Sequence, residues 1–102
     1  MSASGAIDAG HVVISLKGRD LGRCYLVLAV EPPFVYVADG AYRSGRNPKK
    51  KRVTHVRHLS ARGEPAVLDE TFWTVSAKEQ DRRIRSLIAG AYAEVKREVT
   101  DV

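Results

Sequence analysis

The seven residues from Cys24 to Val30 are all apolar, and Pro32 and Pro33 follow almost at once. A strand with one face in water alternates apolar and polar residues. An unbroken apolar run that includes β-branched Val27 and Val30 therefore calls for cover on both sides. The prolines end it, because neither can donate to a strand ladder. The segment belongs at the centre of a layered fold, and 102 residues suffice for one compact domain around one core.

The flanking segments supply its neighbours. From His11 to Lys17 the chain alternates, with Val12, Ile14 and Leu16 on one face, the period of a strand. Gly18 and Gly22 then bracket a tight turn in which Arg19 stands beside Asp20 as an ion-pair partner. Phe34 to Ala38 is a second apolar strand, with Tyr36 in phase with Phe34 and Ala38 and so read as core, and Asp39 and Gly40 make the next turn. After a basic loop, Val53, Thr54 and Val56 mark a strand over Arg52 to Leu59. Between Gly63 and Thr74, the apolar residues Ala66, Val67, Leu68, Phe72 and Trp73 read as a short last strand or else an ordered connector.

Ser76 followed by Glu79 is a capping box, each side chain satisfying a backbone N–H of the first helical turn. Ile84, Leu87, Ile88, Ala91, Tyr92 and Val95 then recur at spacings of three and four, an amphipathic helix with one apolar stripe. Gly90 marks either a close approach or a weak point in it. The organisation expected is a flexible terminus over 1–9, a mainly β domain over 10–75, and a helix over 76–99 packed on that domain or on a partner.

Charge narrows the choice of function. Seventeen Lys and Arg face twelve Asp and Glu, a net charge of +5. Arg43, Arg46, Lys49, Lys50, Lys51, Arg52, Arg57 and Arg62 fall in one stretch with no acidic residue between Asp39 and Glu64. Like charges this close repel one another, and a bound polyanion offsets that cost while releasing its own counterions. Lys17, Arg19 and Arg23 at the first turn extend the set if folding brings the two loops together. Tyr42, outside any apolar run and beside Arg43, offers a face for an unpaired base. His55 and His58 suit contacts to phosphate or sugar. The candidate nucleic-acid site is thus Lys17, Arg19, Arg23, Tyr42, Arg43, Arg46, Lys49, Lys50, Lys51, Arg52, His55, Arg57 and His58. The three lysines read as surface residues whose joint removal leaves stability nearly unchanged.

Other chemistries find less support. His55 and His58, three apart on a strand, point to opposite faces, and Cys24 and His11 do not complete a metal site. Asp69 and Glu70 are neighbours on the chain and diverge, so no acid/base pair is expected. Cys24 in its apolar run reads as an inert thiol. The expectation is a protein with no catalytic residues, metal or cofactor. A lone cysteine and the lack of a leader-like or membrane-spanning run point to the cytoplasm.

Two stretches carry a resemblance. V-V-I-S-L-K-G-R-D-L-G-R, from Val12 to Arg23, resembles a KOW motif, with Gly22 at its characteristic glycine and Leu21 where many such motifs carry lysine. V-A-D-G-A-Y-R, then N-P-K-K-K-R and H-V-R-H-L, resemble the eukaryotic-type large-subunit ribosomal protein fourteen family and its small bacterial relatives, through Asp39, Gly40, Arg43, Pro48 and Lys49 to Lys51. The likeness spans Gly10 to Leu59. It implies an SH3-like (KOW) small β-barrel with the helix appended at its C-terminus, bound to structured, usually ribosomal RNA. Two alternatives remain: a module docking on transcription or ribosome-assembly proteins, and a DNA-binding protein.

Overall fold

A computed structural model describes residues 6–63 and 65–100 of the chain. The first five residues of the expected flexible terminus lie outside the described residues, as does the side chain of Arg62. Five strands, β1 (His11–Ser15), β2 (Cys24–Glu31), β3 (Phe34–Ala38), β4 (Lys49–Arg52) and β5 (Val56–Gly63), form one curled antiparallel sheet in the order β4-β3-β2-β1-β5. A short helix, α1 (Glu70–Thr74), and a long one, α2 (Ala77–Thr100), follow.

The all-apolar strand is covered on both faces, as its composition demands. Tyr25 and Val27 point to one side, where they join Val13, Val35, Val37 and Val56. These side chains come from four strands of the same sheet, so the sheet curls over its own inner face. Ile7, in the segment expected to be flexible, packs on this cluster. Leu26 and Leu28 point to the other side, where Val12, Ala38, Phe72 and Ile84 complete a second cluster. Leu87, Ile88 and Ala91 pack against that cluster, so the helix stripe is largely spent on the outer face of the sheet. Tyr92, 54% exposed, lies at its margin. Gly90 meets open space and is therefore a weak point rather than a close approach.

Four expectations need correction. Lys49–Arg52 is not loop but edge strand, pairing Phe34 with Arg52, Val35 with Lys51, Tyr36 with Lys50 and Val37 with Lys49. A row of cations on an edge is one way a sheet discourages pairing with other chains. Val53–His55 is a 3-10 turn, so β5 starts later than expected. The stretch 65–74 holds no strand: a 3-10 turn over Pro65–Leu68 leads into α1, whose five residues bury only Phe72 and so carry no helical period to read. Tyr36 shares the face of Phe34 and Ala38 but is only half-buried, its hydroxyl donating to Glu31 Oε1 at 3.0 Å.

Local chemistry explains the helix starts. Asp69 caps α1, its Oδ1 accepting from the Phe72 N–H at 3.1 Å and the Thr71 hydroxyl at 2.7 Å. Trp73 Nε1 donates to the Leu68 carbonyl at 3.1 Å, which ties the 3-10 turn to α1. Ser76 Oγ accepts from the Glu79 N–H at 3.1 Å, but only this half of the box forms. Glu79 instead pairs with Arg82 at 2.6 Å and Arg83 at 3.2 Å. Those two guanidinium groups pull its carboxyl down to about 2.

Candidate nucleic-acid interface

Strand geometry divides the lysine run. Successive side chains of a strand point to opposite faces, so Lys49 and Lys51 turn inward while Lys50 and Arg52 turn out. Lys51 is 8% exposed, and its Nζ lies 2.9 Å from Asp20 Oδ1 and 3.0 Å from the Lys17 carbonyl. Lys49 Nζ reaches Asp20 Oδ2 at 3.1 Å.

Asp20 is the centre of this cluster. Buried in the first turn, it also accepts from the Tyr25 hydroxyl at 2.6 Å and lies 2.9 Å from Ser15 Oγ. Burial opposes its ionisation, but donation from Tyr25, Lys51, Lys49 and Ser15 outweighs that and holds the carboxyl well below the usual carboxylate range. Burial, the bond to Asp20 and the Asp20 charge push the Tyr25 hydroxyl up to about 12. The cluster fastens the β1–β2 turn to the edge strand. It also corrects two readings: Asp20 pairs with Lys49 and Lys51 rather than Arg19, and Lys51 is a buried structural cation rather than a surface residue. Four adjacent cations carry no period of their own, so the inward positions are not readable from the run alone. Once the run is a strand, its alternating Lys-x-Lys needs an inward counter-charge, and Asp20 of the first turn supplies it.

On the outward face, Lys50 Nζ stands 4.3 Å from the Phe34 ring centroid and the Arg52 guanidinium 5.3 Å from it. Both remain exposed. The first turn and the loop after β3 meet through Arg23, whose guanidinium lies 4.1 Å over the Tyr42 ring and 3.9 Å from Asp39. The Leu16 N–H donates to the His55 carbonyl at 2.8 Å, which brings the 3-10 turn and His55 alongside. The two basic segments therefore adjoin, as the sequence reading required. Lys17, Arg19, Arg43, Arg46, Lys50 and Arg52 form no ion pair with a carboxylate among the described residues.

The loop over 39–48 is built rigidly. Asp39 Oδ1 accepts from the N–H groups of Ala41 at 2.9 Å and Arg43 at 2.7 Å. Asp81 of α2 accepts from the Gly45 N–H at 2.8 Å and the Ser44 hydroxyl at 3.2 Å, while Arg85 donates to the Gly40 carbonyl. Arg46 donates to the Val75 carbonyl at 2.7 Å. Gly40 and Gly45 permit this contact: a β-carbon on Gly45 would lie 2.5 Å from Gln80 Oε1 and 2.9 Å from Ile84 Cδ1. Nothing in the spacing of residues marks Asp81 and Arg85 as serving this loop, since helix periodicity reports only the apolar face.

His58 does not join the basic surface. It lies on β5 opposite Val13, farther from the turn end than Arg57, and its Nε2 is 2.7 Å from His11 Nδ1. The Asp8 N–H also points at His11 Nδ1, at 3.2 Å. A backbone N–H can only donate, so Nδ1 is an acceptor and the proton of the pair sits on His58 Nε2. Burial and the neighbouring His58 lower the His11 pKa, with Asp8 opposing. The folded value thus lies below the ordinary 6.5, and in the window beneath 6.5 the unfolded chain binds more protons. Stability should be intact above that pH and fall as the solution is acidified through it, by at most about 1.4 kcal/mol per pH unit. Thermal midpoints across this window check it. The expected fall shrinks in His58→Gln, and a flat wild-type profile would refute the pairing.

Among the described residues no cluster of His, Cys, Asp and Glu could hold a metal ion, and no helix is long and apolar enough to cross a membrane. Burial pushes the Cys24 thiol up, away from the reactive thiolate. No protein-family model and no curated protein matches the chain.

Proposed function

We propose that the protein is an RNA-binding accessory or ribosomal-type protein, a KOW-type SH3-like barrel that holds structured RNA by its backbone. The observation that carries this reading is the junction of the two basic segments, where Arg23 meets Tyr42 and Asp20 ties the first turn to β4. It gives a basic margin, with Lys17, Arg19, Arg43 and Arg46 on adjoining loops and Lys50 and Arg52 on the outer face of β4 beside them, none with a carboxylate partner among the described residues. Gly22, with φ +88°, occupies the place of the motif glycine. Recognition is mainly of shape and phosphate, because the margin presents point charges and forks rather than a groove-reading element.

Engagement of about four phosphates should make log affinity for ribosomal RNA fall with log salt at a slope of about −3. Lys50→Ala with Arg52→Ala should weaken binding across RNA sequences and reduce the slope by about one per lost contact. The two changes should cost no more than about 1 kcal/mol of stability, since both side chains are exposed. Salt-insensitive binding, or unchanged affinity in the double variant, would defeat the proposal. Sedimentation with ribosomes that survives ribonuclease would indicate a protein partner instead, and equal competition by duplex DNA would indicate a general polyanion binder.

A further inference from the structure

We infer that the basic margin takes an unpaired nucleotide, whose base stacks on the free face of Tyr42 while Arg23 holds the opposite face. The inference rests on the RNA-binding reading and names the part of an RNA that this surface selects.

Tyr42 is 78% exposed, the most exposed of the large hydrophobic side chains among the described residues. Free rotation of such a ring would make it a poor platform, but here the backbone is fixed on both sides. The Asp39 carboxylate takes the N–H groups of Ala41 and Arg43, and the Arg43 carbonyl takes those of Asp39 and Gly40 at 3.1 and 2.9 Å. Arg23 covers one face of the ring and is itself oriented by Asp39. One face is therefore occupied, and the ring's exposure belongs to the other.

The surroundings identify what fits that face. Arg43 follows directly and Arg23 lies behind, so a cation is repelled and an anionic chain is drawn in. The guanidinium also withdraws charge from the ring, which improves stacking with an electron-rich planar partner. A nucleobase on a phosphate backbone meets both requirements, whereas an apolar side chain meets neither. The bases of a duplex hide their faces against each other, so only a bulged, looped or terminal nucleotide can present one.

The test compares the full-length protein's affinity for an RNA hairpin carrying one bulged purine with its affinity for the same hairpin without the bulge, at fixed salt. The bulged RNA should bind about tenfold tighter, the usual scale of base–aromatic stacking. Tyr42→Ala should abolish that advantage, so that the two hairpins bind alike, and Tyr42→Phe should retain it. A 2-aminopurine at the bulge should lose fluorescence on binding the wild type but not Tyr42→Ala. Equal affinity for the two hairpins, or a bulge preference that persists in Tyr42→Ala, overturns the inference and leaves the RNA-binding proposal standing. Failure to bind either hairpin overturns both.

Discussion

An Asp20→Ala variant is expected to lose about 3–5 kcal/mol of unfolding free energy, the scale found when one partner of a buried ion pair is removed. The loss comes less from the broken contacts than from what they leave behind. Lys51 would keep its charge in a site where its side chain is 7% exposed, and the Tyr25 hydroxyl would lose its acceptor. At about 4–8 °C per kcal/mol for a domain of this size, the thermal midpoint should drop by at least about 12 °C. Denaturant titration gives the free energy directly. Adding Lys51→Met should recover part of the loss, because an apolar replacement removes the stranded charge. A cost below about 1 kcal/mol for Asp20→Ala would show that Asp20 does not hold the edge strand. The pH dependence carries the matching sign. Asp20 in the folded protein titrates below its ordinary 3.8, so its contribution is complete above that pH and is lost only as acidification continues beneath it.

Gly40→Ala is expected to cost about 2–5 kcal/mol, the sum of two effects that a control variant separates. Gly40 has φ +78°, a conformation that costs a residue with a β-carbon roughly 1–2 kcal/mol. Its β-carbon would also press on the Asp81 carbonyl and lie 2.9 Å from Arg85 Cγ. Overpacking of this kind adds about 1–3 kcal/mol. Gly22 has a similar φ of +88° but nothing within 4 Å of the added carbon. Gly22→Ala should therefore show the first cost alone, and the difference between the two variants measures how tightly the loop is seated on α2. Equal losses in denaturant titrations would mean that the loop yields without penalty. The same seating should also govern affinity if a fixed loop is what presents Tyr42 and Arg43.

The parts of the fold that were legible in the sequence are those whose cause is local. Cys24 to Val30 had to be doubly covered, the Asp39–Gly40 turn had its own chemistry, and Ser76 announced a helix whose stripe is read from spacing alone. What was illegible depends on partners distant in the chain. Lys49–Arg52 forms a strand because β3 offers Val35 and Val37 beside it and Asp20 offers a counter-charge 31 residues from Lys51, while four adjacent cations suggest only solvation. The short helix over Glu70–Thr74 follows from the Asp69 cap and one buried ring, too little to produce a period. For the candidate surface, residue type was readable but direction was not. Lys51 and Lys50 are neighbours of the same kind, and only the pleat separates them. His58 has the composition of the basic segment yet faces His11.

That alternation makes the lysine run sensitive to phase rather than to content. Exchanging lysine for arginine at the outward positions leaves the wiring of the edge intact, and so does neutralising them. Removing a single residue between Pro48 and Val53 does not, although it changes the net charge by only one. The cations on one side of the gap would move to the opposite face relative to those on the other, so that an inward and an outward position exchange occupants. The run thus carries two messages interleaved at every second residue, one read by the protein's own interior and one by whatever lies outside it.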